Sequence, residues 1–239
     1  PNTPSASVYV TLHNTKIDQK FRKDLFAMCV PDYSLLSAAP GHTATLVPLP
    51  YTRDEVSAIS SPLKENKKTV FIGSDANEAT LKRALAGDPV RVVHLAAHGL
   101  VDPVEPAASS IALCPDAAGT EDGYLHTLEI MSLPLHARLV VVSACESARG
   151  RIGRGEGVVG LSRAFLASGT DAIVASLWAV SDESTAVLMG EFYERMLRKK
   201  QPAGRALNEA RLALMKDTRY AHPFYWSPFV VIGLESSPW

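Results

Sequence analysis

Two short segments of this 239-residue chain place a thiol and an imidazole where they could act together. Cys145 follows the apolar run 139–142 directly, in Ser-Ala-Cys-Glu-Ser, and His98 follows the run 90–95, in Ala-Ala-His-Gly. A thiol is a strong nucleophile only as the thiolate, and a neighbouring imidazole lowers its pKa and can later protonate a leaving amine. The two segments therefore predict nucleophilic catalysis by a cysteine–histidine dyad.

The glycine after the histidine fits the same chemistry. Because Gly99 has no Cβ, its backbone N–H can approach a bound substrate closely. Together with the N–H of Cys145, it could hold the oxyanion of a tetrahedral intermediate. Small side chains beside the cysteine, Ser143 among them, would keep this edge open to substrate. We therefore expect an oxyanion hole at Gly99 and Cys145 and a substrate contact at Ser143.

The elements that must carry these residues alternate between short apolar runs and helical patterns. Strands are predicted at 7–12, 69–73, 90–95, 138–143, 172–177 and 229–232, and helices at 77–85, 157–167, 183–198 and 205–215. This alternation is typical of an α/β domain with a mostly parallel sheet. In such sheets catalytic groups gather beyond the carboxyl ends of the strands. If their strands are parallel neighbours, His98 and Cys145 emerge side by side.

Composition excludes several classes of protein. Hydrophobic residues make up 46% and charged residues 21%, which is typical of a globular domain with a packed core. A net charge of −1 gives no basic surface for nucleic acid or an anionic membrane. The three cysteines form neither a disulfide framework nor a zinc motif, so we expect a cytoplasmic protein. Because the chain begins at Pro1, we also expect it to be a piece of something longer.

Five segments in order resemble the motifs of the CHAT family of caspase-like, separase-related cysteine peptidases (clan CD). They are VHLAAHG (93–99), VSACES (142–147), GEGVVGLSRAF (155–165), ASLWAVSD (175–182) and PFYWSPFVVIG (223–233). The resemblance covers residues 46–233. It divides the chain into a CHAT-like peptidase domain at 46–239 and a segment at 1–45 that packs on or leads into that domain.

The resemblance implies a caspase-hemoglobinase fold, a three-layer sandwich with a mostly parallel central sheet flanked by helices. It implies a cysteine endopeptidase that cleaves a specific protein through His98 and Cys145, with neither a metal nor an organic cofactor. It also implies regulation by a repeat domain or partner protein outside this chain. The alternative is a catalytically silent module that keeps the fold for partner binding.

Asp182 and Trp178 have two interpretations each. The resemblance places Asp182 in the primary specificity pocket, paired with a basic substrate side chain, whereas its position with Ser181 before a predicted helix favours an N-cap. Trp178 could line the substrate groove or belong to the core.

Two further features have a simpler interpretation beside a functional one. His94 lies four residues before His98, as in a helical metal pair. Because His94 lies inside a predicted strand rather than a helix, a core histidine is favoured. The glycine-rich loop containing Arg151 and Arg154 lacks the residues of a phosphate loop. It is predicted to be a mobile connection, with self-cleavage after either arginine as the alternative.

Overall fold

The computed structural model describes residues 21–36, 46–87, 89–102, 105–143, 145–146 and 156–234. The strands are β1 (Lys23–Cys29), β2 (Lys68–Ile72), β3 (Val90–Ala96), β4 (His98–Leu100), β5 (Ser110–Ala112), β6 (Tyr124–His126), β7 (Ala137–Val142), β8 (Cys145–Glu146), β9 (Ala172–Ser176) and β10 (Phe229–Gly233). The helices are α1 (Tyr51–Ser60), α2 (Glu78–Leu85), α3 (Thr127–Ser132), α4 (Glu156–Ala167), α5 (Asp182–Tyr193), α6 (Ala203–Leu214) and α7 (Pro223–Trp226). A π-helical turn, Glu194–Arg198, continues α5.

The main sheet has six strands in the order β10-β9-β7-β3-β1-β2. All neighbours are parallel except β10, which runs antiparallel to β9. Parallel strands need crossover connections, and here these carry helices that cover both faces of the sheet. This architecture confirms the predicted mostly parallel sheet flanked by helices.

Two apolar layers enclose the sheet. Alternate residues of a strand point to opposite faces, so Phe26 and Met28 belong to one layer and Leu25 and Ala27 to the other. The first layer packs against α2, α3 and α4, and the second packs against α1, α5 and α6. The result is the predicted three-layer sandwich, whose carboxyl edge carries the candidate dyad.

A second, four-stranded sheet in the order β6-β5-β4-β8 lies beyond that edge. It begins where β3 and β7 end, because β4 follows β3 after Ala97 alone and β8 follows β7 after two residues. The pair β4–β8 is parallel, whereas β4–β5 and β5–β6 are antiparallel. The small sheet therefore continues two neighbouring strands of the main sheet and keeps them together.

Most predicted elements are confirmed, and β1 and α1 are among those that were missed. The strand β1 lies inside the main sheet, between β3 and the edge strand β2, although it falls within the low-information segment 1–45. Its sequence, KDLFAMC, has no β-branched residue, so intrinsic preference does not indicate a strand. The helix α1 was missed because Thr52 and Glu55 interrupt its buried apolar face. The predicted strand 7–12 and the Arg151–Arg154 loop lie outside the described residues.

None of the helices in the described ranges is long and apolar enough to cross a membrane.

Candidate active site

The structure brings the backbones of His98 and Cys145 together. The two residues are register partners in the parallel β4–β8 ladder. Neighbouring strands lie about 4.7–4.9 Å apart, so the two residues are adjacent across the ladder. This arrangement follows from the parent strands, since β3 and β7 are themselves parallel neighbours with Leu95 opposite Val142. The expectation that the two strand ends emerge side by side is met at the level of the backbone.

His98 is held by a backbone carbonyl and a tyrosine. Its Nε2 lies 2.8 Å from the carbonyl oxygen of Val47, and its backbone N–H donates to the hydroxyl of Tyr33 at 2.8 Å. The Tyr33 ring lies against the imidazole, with centroids 4.7 Å apart. His98 is 2% exposed. Because a carbonyl oxygen can only accept, this contact places a proton on Nε2 and leaves Nδ1 as the acceptor of the neutral ring.

Gly99 and Ser143 adjoin the dyad in different ways. Gly99 lies between two strands, opposite Ile111 of β5 and Glu146 of β8. Ser143 is 3% exposed, and its N–H donates to the carbonyl of Leu95 at 2.9 Å. It therefore extends the pairing of β7 with β3 to the point where the cysteine segment begins. The oxyanion role of Gly99 and the substrate contact of Ser143 stay predictions.

Asp182 caps a helix, but not the one that it begins. Ser181 occupies the N-cap position of α5 without a side-chain capping bond. The carboxylate of Asp182 instead accepts from the backbone N–H of Tyr51, at the start of α1, at 2.8 Å. A carboxylate at a helix N-terminus satisfies an otherwise unpaired amide and meets the positive end of the helix dipole. Asp182 thus joins α5 to α1 at Tyr51, four residues before Glu55.

Trp178 lies two residues beyond β9 and is partly exposed. Its indole N–H points to the carbonyl of Phe224 at 3.5 Å, which is at the long limit for such a bond. Trp178 therefore belongs to the edge formed by the end of β9 and the helix before β10. Its role in binding substrate stays a prediction.

The environment of Asp182 predicts a pH dependence of stability. Burial, partly offset by the hydrogen bond from Tyr51 and aided by the charges of Glu55 and Asp54, raises the pKa of Asp182 to about 6. The unfolded value is about 3.9, so the folded state binds more protons between about pH 4 and pH 6, and this group lowers the free energy of unfolding as pH rises through that window. Urea unfolding should show the parent chain losing stability relative to Asp182→Asn from pH 4 to pH 6. A constant difference across this range would contradict the interpretation.

A buried polar network lies under the same edge. Nε2 of His94 is 2.9 Å from Oε1 of Glu55 on α1, and Nδ1 is 3.0 Å from the hydroxyl of Tyr193 on α5. The exposed fractions of His94, Glu55 and Tyr193 are 0%, 1% and 2%. Burial raises the pKa of Tyr193 well above its ordinary value, so its hydroxyl keeps its proton. His94 is thus a core histidine, as predicted.

One group of carboxylates in the described part of the chain is compact enough to hold a metal ion. It consists of Glu78, Glu121 and Glu129, with one oxygen of each within 4.8 Å of the others. The ammonium group of Lys82 lies between them, at 2.7 Å from Glu78, 2.9 Å from Glu121 and 2.7 Å from Glu129. Because a lysine cation already occupies this position, the group is an ion-pair network that joins α2, α3 and the loop before β6.

Several residues of the site left no signal in the sequence. Tyr33 and the carbonyl of Val47 belong to an irregular stretch without period, and a carbonyl is common to all residue types. Glu55 and Tyr193 meet His94 across 39 and 99 positions of sequence. The one signal that could have identified Glu55 is a polar residue on the buried face of a helix. That helix, α1, was itself missed.

The fold is similar to that of two solved proteins. Among solved structures, the separase–securin complex of Saccharomyces cerevisiae superposes with a TM-score of 0.61 at 16% identity, over 97% of this chain and 14% of that chain. The Arg-specific cysteine proteinase gingipain R superposes with a TM-score of 0.56 at 14% identity, over 89% of this chain and 47% of that chain. The chain thus has the caspase-like fold of these two peptidases.

The family model of the CHAT domain matches residues 2–234. The chain therefore belongs to the CHAT domain family. Tetratricopeptide repeat protein 28 of Mus musculus is 30% identical over 130 residues, which are 54% of this chain and 5% of that protein. Its counterpart in Homo sapiens is 30% identical over 124 residues. The chain thus corresponds to a small part of these relatives.

Proposed function

We propose that this chain is a cysteine endopeptidase that cleaves a specific protein, with Cys145 as the nucleophile and His98 as its acid/base partner. The observation that carries the proposal is the β4–β8 register, in which these two residues are direct partners. The tautomer imposed on His98 by Val47 adds to it, because the ring nitrogen without a proton can act as base toward a neighbouring thiol.

The proposed reaction proceeds in two stages. Nδ1 of His98 takes the thiol proton, and the thiolate of Cys145 attacks the scissile carbonyl carbon. The N–H groups of Gly99 and Cys145 hold the oxyanion, and the imidazolium then protonates the departing amine. Water, deprotonated by His98, hydrolyses the acyl-enzyme and restores the thiol. The Val47 carbonyl stabilises the intermediate imidazolium by accepting from Nε2–H throughout.

Substrate selection is proposed to involve Asp182, Ser143 and Trp178. An ionised carboxylate can accept several hydrogen bonds, so the bond from Tyr51 leaves Asp182 capacity for a basic side chain before the scissile bond. Since burial raises its pKa to about 6, the preference for such a side chain should weaken below that pH.

Regulation is proposed to come from a repeat domain or a partner protein. The similar proteins support this, since the mouse relative is a tetratricopeptide repeat protein and the yeast separase structure is a complex with securin. We also propose a cytoplasmic location, which the buried free thiols of Cys29 and Cys114 support.

Labelling by an electrophilic peptide tests the dyad without knowledge of the natural substrate. A biotinylated peptidyl chloromethyl ketone should label the parent chain on Cys145, and His98→Ala should slow labelling by about 10²–10⁴-fold because the thiolate is lost. His136→Ala removes an exposed imidazole and serves as the matched control. Equal labelling of the parent and His98→Ala would exclude the dyad. A folded parent chain that is not labelled would favour the silent interaction module.

A further inference from the structure

The Glu55–His94–Tyr193 network takes no part in the reaction proposed above, yet it is wholly enclosed by α1, β3 and α5. Taking charged and polar groups out of water is costly, and apolar residues of similar volume often stabilise a core equally well. Stability alone therefore gives little reason for such a network at the centre of an apolar layer. Its polar contacts differ from apolar contacts in one respect, which is that they join particular atoms: Oε1 of Glu55 with Nε2 of His94 at 2.9 Å, and Nδ1 of His94 with the Tyr193 hydroxyl at 3.0 Å.

The three elements that it joins are those that place the groups around His98. His94 belongs to β3, which leads directly into β4 and His98. Glu55 belongs to α1, whose first residue, Tyr51, follows the segment that carries Val47. Tyr193 ends α5, whose first residue, Asp182, binds the N–H of Tyr51. The helices α1 and α5 are thus joined at the start of α1 by Asp182 and one turn later through His94.

The segment between Val47 and α1 transmits the position of the helix. The hydroxyl of Thr52 donates to the carbonyl of Leu49 at 2.7 Å, and the N–H of Leu49 donates to the carbonyl of Pro31 at 3.0 Å. Two residues earlier, the carbonyl of Val47 meets Nε2 of His98 at 2.8 Å. A shift of α1 over β3 would therefore move this carbonyl relative to the imidazole.

We propose that Glu55, acting through His94 and Tyr193, is a positioning residue for His98: the network fixes α1 over β3 so that the Val47 carbonyl keeps the His98 proton on Nε2. The inference rests on the proposed peptidase function for its catalytic consequence. The position of the His98 proton is a property of the folded chain and exists with or without catalysis.

A variant that keeps the core filled but removes the polar contacts of the network separates positioning from stability. The triple variant Glu55→Leu, His94→Leu, Tyr193→Phe replaces the network by apolar groups, and such replacements are often neutral for folding. Tyr193→Phe alone removes one hydroxyl, and Glu55→Gln retains an oxygen that can accept from His94 and should restore the parent behaviour. Asp54→Asn changes an exposed carboxylate on the same helix and is the matched control.

Two measurements on the full chain give the result. Nitrogen-15 NMR of labelled histidine reports which ring nitrogen of His98 carries the proton, with the signals identified by His98→Ala. We expect the parent, Glu55→Gln and Asp54→Asn to have the proton on Nε2, and the triple variant to have a mixture of both tautomers. With a peptide substrate, kcat of the triple variant should fall by about 10–100-fold while KM changes by less than about threefold.

A folded triple variant with the tautomer and kcat of the parent would overturn the proposal, and so would an equal effect of Asp54→Asn. If the triple variant does not fold, Tyr193→Phe decides by the same measurements, with a smaller expected change. If the parent chain cleaves nothing, the peptidase proposal fails while the NMR comparison still decides the positioning.

Discussion

Replacement of Cys145 by alanine should lower the kcat of the proposed proteolysis by at least about 10³-fold, because it removes the thiol that forms the acyl-enzyme. Comparison of the new protein amino-termini that appear in a proteome treated with the parent chain and with Cys145→Ala measures this. Termini produced by the parent alone would identify both the substrate and the residue before the cleaved bond.

The remaining two cysteines provide the control. Burial raises the pKa of Cys29 to about 12 and also raises that of Cys114, so neither thiol ionises near neutral pH. Cys114→Ala should therefore cleave as the parent does. Cleavage by Cys145→Ala at the same sites as the parent would remove Cys145 from the mechanism.

Replacement of Glu55 by alanine should lower the free energy of unfolding by about 1–3 kcal/mol, the usual cost of leaving a buried polar group without its partner. The reason is that His94, with no exposed surface, loses its carboxylate partner at 2.9 Å. Urea unfolding followed by circular dichroism measures the change at constant pH.

The same helix supplies the comparison for this variant. Asp54→Ala removes an exposed carboxylate beside Glu55 and should change the free energy of unfolding by no more than about 0.5 kcal/mol. A loss below about 1 kcal/mol for Glu55→Ala would mean that water or another group replaces the carboxylate, and the network would then not be a tight one.

Cys145 and Glu55 differ in how clearly the sequence identifies them. Cys145 follows a continuous apolar run and His98 a mostly apolar one, and parallel strands place their carboxyl ends at one edge, so local pattern was sufficient. Glu55 had no such pattern, because a single glutamate in a helix is usually a solvated residue. Only its contact with His94 in the folded chain identifies it as buried and paired.

Asp182 lies between these cases. Its position with Ser181 predicted an N-cap for α5, and this is wrong, because no side chain caps the start of that helix. The partner is Tyr51, 131 positions away, rather than an amide of α5. A local sequence pattern can therefore suggest that a side chain binds a helix N-terminus without indicating which helix, because the amide that it meets in space belongs to another element.

The sequence by itself determined the fold class, the order of the central strands along the chain and the two residues that form the candidate dyad, since each depends on periodicity or on neighbours within a few positions. The tertiary structure decided which groups surround them: the Val47 carbonyl on His98, the Tyr33 ring, the Asp182 bond to α1 and the network at His94. These contacts join residues far apart in the chain. They depend on how α1 and α5 pack over β3, and packing is fixed by the whole core rather than by any one segment.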